Sequence, residues 1–287
     1  MPKTNDEQIR LFVADRACHI LSSVHESFPG KWIIPVNCCE DVLETLVTSN
    51  CTPIFVDIDE KTMQVDQDEL TSLLVRYGSE IRGIILIATY GDFSRNEEAI
   101  SVIRKNSEGI IIDDRCLSPP IISKPKSISS DLILYSTGKT KYCDLGFGGF
   151  AYSNLDINVP IVDFEVSSYL EKINQSIPSI DSHKEKLNSI YNSLLPEYIK
   201  FPESLNQWRY NILAPDNLTR DSIVNEIFNR GKFCSSHYLP LSDGAFPRST
   251  RISRQIINLF NDFHFTEDDA ILICKIINSI LDETAVE

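Results

Sequence analysis

At 287 residues the chain is long enough for one large domain, or for a large and a small one. With 42% hydrophobic and 24% charged residues it reads as an ordinary globular protein, and a net charge of -14 argues against a nucleic-acid partner, which would call for clustered positive charge. No apolar run approaches the roughly 18 residues of a membrane span. The polar start MPKTNDEQIR is no signal peptide. Cys18, Cys38, Cys39, Cys51, Cys116, Cys143, Cys234 and Cys274 form no CxxC pair or Cys/His cluster, so no metal site is expected and the thiols read as those of a reduced, cytoplasmic protein.

In chain order, KWIIPV predicts a strand, CEDVLETLVTS a helix, PIFVDID a strand and DQDELTSLLVRYG a helix closed by Gly78. GIILIATYG follows as a strand, NEEAISVIRKNS as a helix and GIIIDD as a strand. Pro119, Pro120 and Pro125 mark a loop before the strand DLILYS. This βαβ rhythm with nearly continuous apolar strands predicts an α/β domain with a mostly parallel sheet, covered on both faces. Residues 162–195 read as one or two helices and WRYNILAP as a strand. TRDSIVNEIFNRG reads as a helix capped by Thr219, and TEDDAILICKIINSIL as a last helix with a Thr266–Asp269 capping box. The expected division is a large domain over 1–160 and a smaller C-terminal α+β domain over 161–287.

Ligands of parallel sheets bind beyond the carboxyl ends of the strands. Cys38, Cys39, Asp57, Tyr90, Asp114 and the run Ser136 to Lys141 all fall at or just past such ends and are expected to share one crevice. The segment STGKTKYCDLGFGG places a lysine after a buried strand and before closely spaced glycines. Such an amine can form a Schiff base with an aldehyde cofactor while hydroxyls and backbone N–H groups hold an anionic handle. Lys141 is the candidate and Lys139 its competitor; Ser136, Thr137 and the Gly138 amide are candidate anion ligands. Upstream, IIIDDR ends a strand on two carboxylates. One of them, Asp114 or Asp113, would keep a pyridine nitrogen protonated, since neighbours on a strand point to opposite faces. A lysine and a carboxylate so placed are what pyridoxal phosphate needs. Two acids there would otherwise suit a divalent cation, and Asp57 and Asp59 read as surface turn acids. In the C-terminal half, Arg209 is a candidate for gripping an anionic substrate, and His237 a second substrate contact.

Together these segments resemble the DegT/DnrJ/EryC1/StrS family of pyridoxal-phosphate-dependent sugar aminotransferases. IIPVNCCEDVLETLVTSNCTPIFVDID, GIILIATYG, IIIDDRCLS, YSTGKTKYCDLGFGGFAYS, SSHYLPL and INLFNDFHFTEDDA each look like a family segment. The resemblance implies the aspartate-aminotransferase-like (type I) fold and pyridoxal 5'-phosphate as cofactor. It places Lys141 at the Schiff-base lysine, Asp114 at the pyridine contact and Ser136 at the phosphate contact. It implies transfer of an amino group from an amino acid to a keto-sugar, Lys141 serving as general base, in a homodimer. The chain departs from the pattern in places. Asp15 and Arg16 replace a small phosphate-binding turn, where Arg16 would substitute as ligand. Cys39 stands closest to the place of the aromatic that stacks on the ring, Leu117 replaces a Gln or His, and the chain is shortened after GGFAYS. The alternative is a non-enzymatic descendant acting as a binding or regulatory subunit. An unrelated nucleotide-binding α/β protein would show a P-loop or GxGxxG, and neither is present.

Overall fold

The computed structural model describes residues 9–94 and 96–284, so most of the segment MPKTNDEQIR lies outside the described residues. A seven-stranded sheet is built from β1 (Arg10–Ala14), β2 (Lys31–Pro35), β3 (Thr52–Val56), β4 (Ile81–Ile87), β5 (Ile110–Asp114), β6 (Leu132–Ser136) and β7 (Gly149–Ser153). Its spatial order is β1-β7-β6-β5-β4-β2-β3. β2, β3, β4, β5 and β6 pair in parallel, and β7 runs antiparallel to both β6 and β1. The crossovers are α1 (Ala17–Ser27), α2 (Glu40–Thr48), α3 (Gln67–Tyr77) and α4 (Asn96–Asn106). They cover the sheet on two sides. Ile20, Leu21, Val24 and Leu46 pack on Ile34, Ile85, Ile112 and Leu134, while Leu70, Leu74, Ala99 and Ile103 pack on Ile33, Ile84 and Ile111. Strand residues buried on both faces are why these runs read as continuously apolar.

The expected strands and helices of this half are present, with two adjustments. The strand expected over 83–91 ends at Ile87 and passes into a 3-10 turn, Thr89–Gly91. α3 is capped at its start by Asp66, whose side chain accepts from Glu69 N, and at its end by Gly78, at φ 52°. β1, α1 and β7 are elements that the sequence reading left unassigned.

Beyond the sheet, α5 (Val166–Leu194) is a single 29-residue helix. Its first half (Tyr169, Ile173, Ile180) packs with Tyr135 and Phe150 of the large sheet. Its second half (Leu187, Tyr191) packs in the core of an antiparallel three-stranded sheet, β8 (Tyr210–Leu213), β9 (Cys234–Ser235) and β10 (Ile256–Leu259), ordered β8-β10-β9. α6 (Asn217–Asn229), α7 (Pro247–Gln255) and α8 (Glu267–Thr284) complete this part. α5 therefore contributes to both cores. The cap of α6 is Asp216, not Thr219. Helix geometry begins earlier than expected, and the Thr219 amide and hydroxyl both donate to the Asp216 carboxylate at 2.8 Å. The Thr266–Asp269 capping box is formed, with Thr266 N on Asp269 at 2.9 Å and Asp269 N on Thr266 Oγ1 at 3.2 Å.

His25, on the buried face of α1, lies edge-on to Trp32 at 4.7 Å, and neither ring nitrogen has a hydrogen-bond partner among the described residues. Burial lowers its pKa to about 4, against a weaker opposing pull from the Thr45 backbone. The unfolded chain therefore binds the extra proton first. His25 contributes stability that is complete above pH 6.5 and is lost as the pH falls to about 4, worth about 3 kcal/mol. Urea midpoints of wild type and His25→Leu at pH 7, 5 and 4 are expected to show a shallower acid loss in the variant. Parallel acid profiles would refute this.

Candidate active site

A cavity of about 580 Å³ opens at the carboxyl ends of β5 and β6, between these strands and the first turns of α1 and α2. Arg16, Cys39, Asp114, Ser136, Lys141 and Tyr238 all line it. Lys139 lines it too, but it is exposed, whereas Lys141 is half-buried. The Lys141 charge is felt by Asp114, Cys39 and Cys116, which places the amine over the cavity floor.

The loop that presents Lys141 is tightly determined. Thr140 sits in left-handed backbone, φ 64°, a conformation that costs a non-glycine residue about 1–2 kcal/mol. Two hydrogen bonds hold it there: its N–H donates to Asp144 Oδ2 at 2.7 Å, and its carbonyl accepts from the Trp208 indole N–H at 2.5 Å. Lys141 N donates to the Gly138 carbonyl at 3.2 Å, closing the turn.

The two acids that end β5 divide as neighbouring strand residues must. Asp113 does not line the cavity. It accepts from Asn96 Nδ2 at 2.5 Å and Arg115 Nε at 2.8 Å, with the Arg115 guanidinium 4.0 Å from the Phe93 ring centre. Asp114 faces the cavity and accepts from Cys116 N at 2.9 Å. Burial pushes its pKa up, and the Cys116 contacts and the Lys141 charge offset this only in part. Burial also raises Cys39 and Cys116, so both thiols stay protonated.

At the other end of the cavity lies the start of α1. Ala17 and Cys18 of its first turn line the space, and the helix has no acidic residue there and no side-chain cap, so positive N–H ends are presented. Gly149 makes this placement possible: a Cβ there would lie 2.5 Å from the Ala17 backbone. Ser136 stands opposite, its Oγ accepting from Gly138 N at 3.3 Å. Arg16 occupies the N-cap position, and its guanidinium donates to Asp41 of α2 at 2.8 Å across the rim. That pair is largely exposed and so contributes little to stability, which leaves the guanidinium available to an anion.

Other sequence candidates lie outside the cavity. Arg209 is buried, its guanidinium between the Trp208 and Phe260 rings and donating to Ser235 Oγ. Burial lowers its pKa to about 10. His237 packs near Trp208, and burial, with the Arg209 and Lys141 charges, lowers it to about 4. Its neighbour Tyr238, rather than His237, reaches the cavity. Cys38, Asp57 and Tyr90 were expected in the crevice but do not line it: all three are buried, Asp57 past the edge strand β3, and the Tyr90 hydroxyl donates to the His237 carbonyl.

The support behind His237 and Tyr238 was not read from the sequence. Asn211 N donates to Asn206 Oδ1 (2.8 Å), Asn258 Nδ2 to Asn211 Oδ1 (2.7 Å) and His237 N to Asn258 Oδ1 (2.8 Å), all among buried asparagines. The available signal was an asparagine inside each of two apolar strand runs, YNIL and IINL, where a buried amide must find partners.

Asp57 corrects the expectation of a surface turn acid. It is 2% exposed and accepts from Arg248 N (3.0 Å), Ser249 N (2.9 Å) and Ser249 Oγ (2.5 Å). α7 has no side-chain cap of its own, so the acid just past β3 caps it from 191 residues away. Asp59 does form the expected turn, accepting from Lys61 N and Thr62 N at 3.1 and 2.9 Å. Asp57→Ala is expected to cost about 3 kcal/mol in urea unfolding, because it removes a cap and a buried anion that several donors share. A loss below about 1 kcal/mol would contradict this role.

The fold is that of pyridoxal-phosphate-dependent aminotransferases. It superposes on the aminotransferase TlmJ from Streptoalloteichus hindustanus with a TM-score of 0.80 at 13% identity, covering 98% of this chain and 87% of that one. Helicobacter pylori PseC, an aminotransferase involved in the biosynthesis of pseudoaminic acid, gives 0.78 at 13% identity, covering 96% and 87%. Spr1654 from Streptococcus pneumoniae in its PLP form gives 0.76 at 15% identity, covering 96% and 88%. Residues 31–128 match the sequence model of the DegT/DnrJ/EryC1/StrS aminotransferase family, which bears out the resemblance read from the motifs. No curated protein matches the chain by sequence.

Proposed function

We propose that the protein binds pyridoxal 5'-phosphate through Lys141 and transfers an amino group from an amino acid to a keto-sugar. The observation that carries this reading is the joint presence, in one cavity, of a half-buried lysine, a buried carboxylate and a helix start with a serine opposite. The donor set suits the group. Asp114 is a carboxylate whose burial is costly and which a pyridinium N–H would relieve. The first turn of α1, with Ser136 and Arg16, suits a phosphate. When bound, the cofactor supplies an electron sink for the substrate carbon.

The chain's own residues then have distinct tasks. Asp114 keeps the ring nitrogen protonated. Lys141 would hold the cofactor and would be the base that moves a proton at the substrate carbon. The Thr140 turn aims it. Cys39, which lines the cavity closest to the place of the stacking aromatic, would offer a small neutral surface there. Spr1654, solved in PLP and PMP forms, shows a protein of this fold with both states of the cofactor and supports the cofactor assignment. The family match and PseC support a sugar as acceptor. On the same reading the protein is a cytoplasmic homodimer, and Arg209 and His237 influence substrate from behind Tyr238 rather than by touching it.

Purified protein loaded with pyridoxal phosphate is expected to show a visible absorption band that borohydride abolishes. Added amino acid should convert that band to the amine form. The absence of any band overturns the assignment. A band that no amino acid converts favours the second reading, a cofactor-holding subunit without turnover, for which Cys39 and the Arg16–Asp41 rim are the motivating departures.

A further inference from the structure

We propose that Lys184, on α5, is a positioning residue for Lys141, acting through Trp208 and the Thr140 turn. The site it serves is the one assigned above. Lysines on a long surface helix normally put the ammonium in water, but Lys184 is 6% exposed. Its amine donates to the Trp208 carbonyl at 2.6 Å and to Asn261 Oδ1 at 2.7 Å, and it lies 5.0 Å from the Tyr142 ring centre. Asp181, one turn earlier, accepts from the Tyr142 hydroxyl.

The chain of contacts is continuous. Lys184 fixes the Trp208 backbone from one side, and the Trp208 N–H donates to the Tyr90 carbonyl at 3.1 Å from the other. The indole so held donates to the Thr140 carbonyl at 2.5 Å, and Thr140, at φ 64°, is the residue before Lys141. Tyr142, the residue after Lys141, is held by Asp181 and covered by Lys184. Both neighbours of Lys141 in the chain are thus anchored to one turn of α5. Asn261, just past β10, ties back to the same helix, its Nδ2 donating to Asn188 Oδ1 at 2.9 Å.

Burying an amine on two neutral acceptors is expensive, and burial, with the nearby Arg209 charge, lowers the pKa of Lys184 to about 7 against the opposing pull of Asp262 and Asp181. A methionine would fill the space without that penalty. A lysine here is explained by the two carbonyl groups it ties together.

The test reads Lys141 directly and does not need the cofactor. Trace acetylation by acetic anhydride, followed by mass spectrometry across pH 7–10, reports the accessibility and basicity of each lysine. In Lys184→Met and in Trp208→Phe, the Lys141 profile is expected to change at least threefold in rate, with Lys139 unchanged. Ile277→Val, a core change in α8, is expected to lower the melting temperature and leave Lys141 alone. With pyridoxal phosphate present, both network variants are expected to bind at least tenfold more weakly. The proposal is overturned if the Lys141 profile in Lys184→Met matches wild type, or, should that variant not fold, if Trp208→Phe does so. A wild type that forms no visible band would defeat the cofactor assignment and leave the labelling result to stand by itself.

Discussion

Lys141→Ala is expected to abolish the visible band of the loaded protein completely, whereas Lys139→Ala is expected to leave it within twofold of wild type. The two amines are separated by one residue and both border the cavity, so spacing alone does not choose between them. Burial and backbone do. Lys139 is exposed, on the residue before the anchored Thr140, and its ammonium keeps its water. Lys141 follows the left-handed Thr140, is half-buried, and exerts its charge on Asp114 and the two floor thiols. A covalent anchor is all or none, so its removal erases the band rather than weakening it. Borohydride reduction, tryptic digestion and mass spectrometry would locate the attachment. A reduced adduct on Lys139 in the wild type would reverse the assignment.

The lysine, the acid pair and the parallel sheet were legible because each rests on local pattern. Apolar strands such as IIIDD and LILYS end on polar residues, and topology brings such ends to one edge. The parity of a strand also predicted that only one of Asp113 and Asp114 would reach the cavity. α1 was not legible as a helix that lines the cavity. ADRACHIL opens without a capping side chain, and its placement depends on Gly149, far away in the chain. Asp57 was misread for a related reason. Its donors are the amides of a helix in the other half of the chain, and nothing near FVDID announces them. Lys184, Asn211 and Asn258 belong to a class that local pattern does signal, as polar residues in apolar surroundings, though the partners that explain them appear only in three dimensions.

Exchanging the two acids of β5 for asparagine is expected to separate cofactor binding from folding. Asp114→Asn removes the charge that faces the cavity. Its affinity for pyridoxal phosphate is expected to fall about 100-fold, within the roughly 2–5 kcal/mol that truncating one partner of a buried charge pair costs. Its stability is not expected to fall. Burial holds the Asp114 pKa above its unfolded value, so the folded state binds the proton more readily, and ionising the group at neutral pH works against folding. Removing the charge relieves that opposition, and the cofactor-free variant is expected to unfold at the same or a higher urea concentration. Asp113→Asn should behave in the opposite way: burial raises the Asp113 pKa as well, against the pull of Arg115 and Asn96, but here the carboxylate has a buried cation as its partner. The substitution leaves the buried Arg115 guanidinium, which cannot shed its proton, against a neutral amide, at an expected cost of about 3 kcal/mol in stability. The affinity of the folded fraction is expected to stay within about threefold. Titrating the visible band while following urea unfolding in both variants measures the two quantities together. If Asp113→Asn lost the cofactor while Asp114→Asn lost stability, the face assigned to each acid would have to be exchanged.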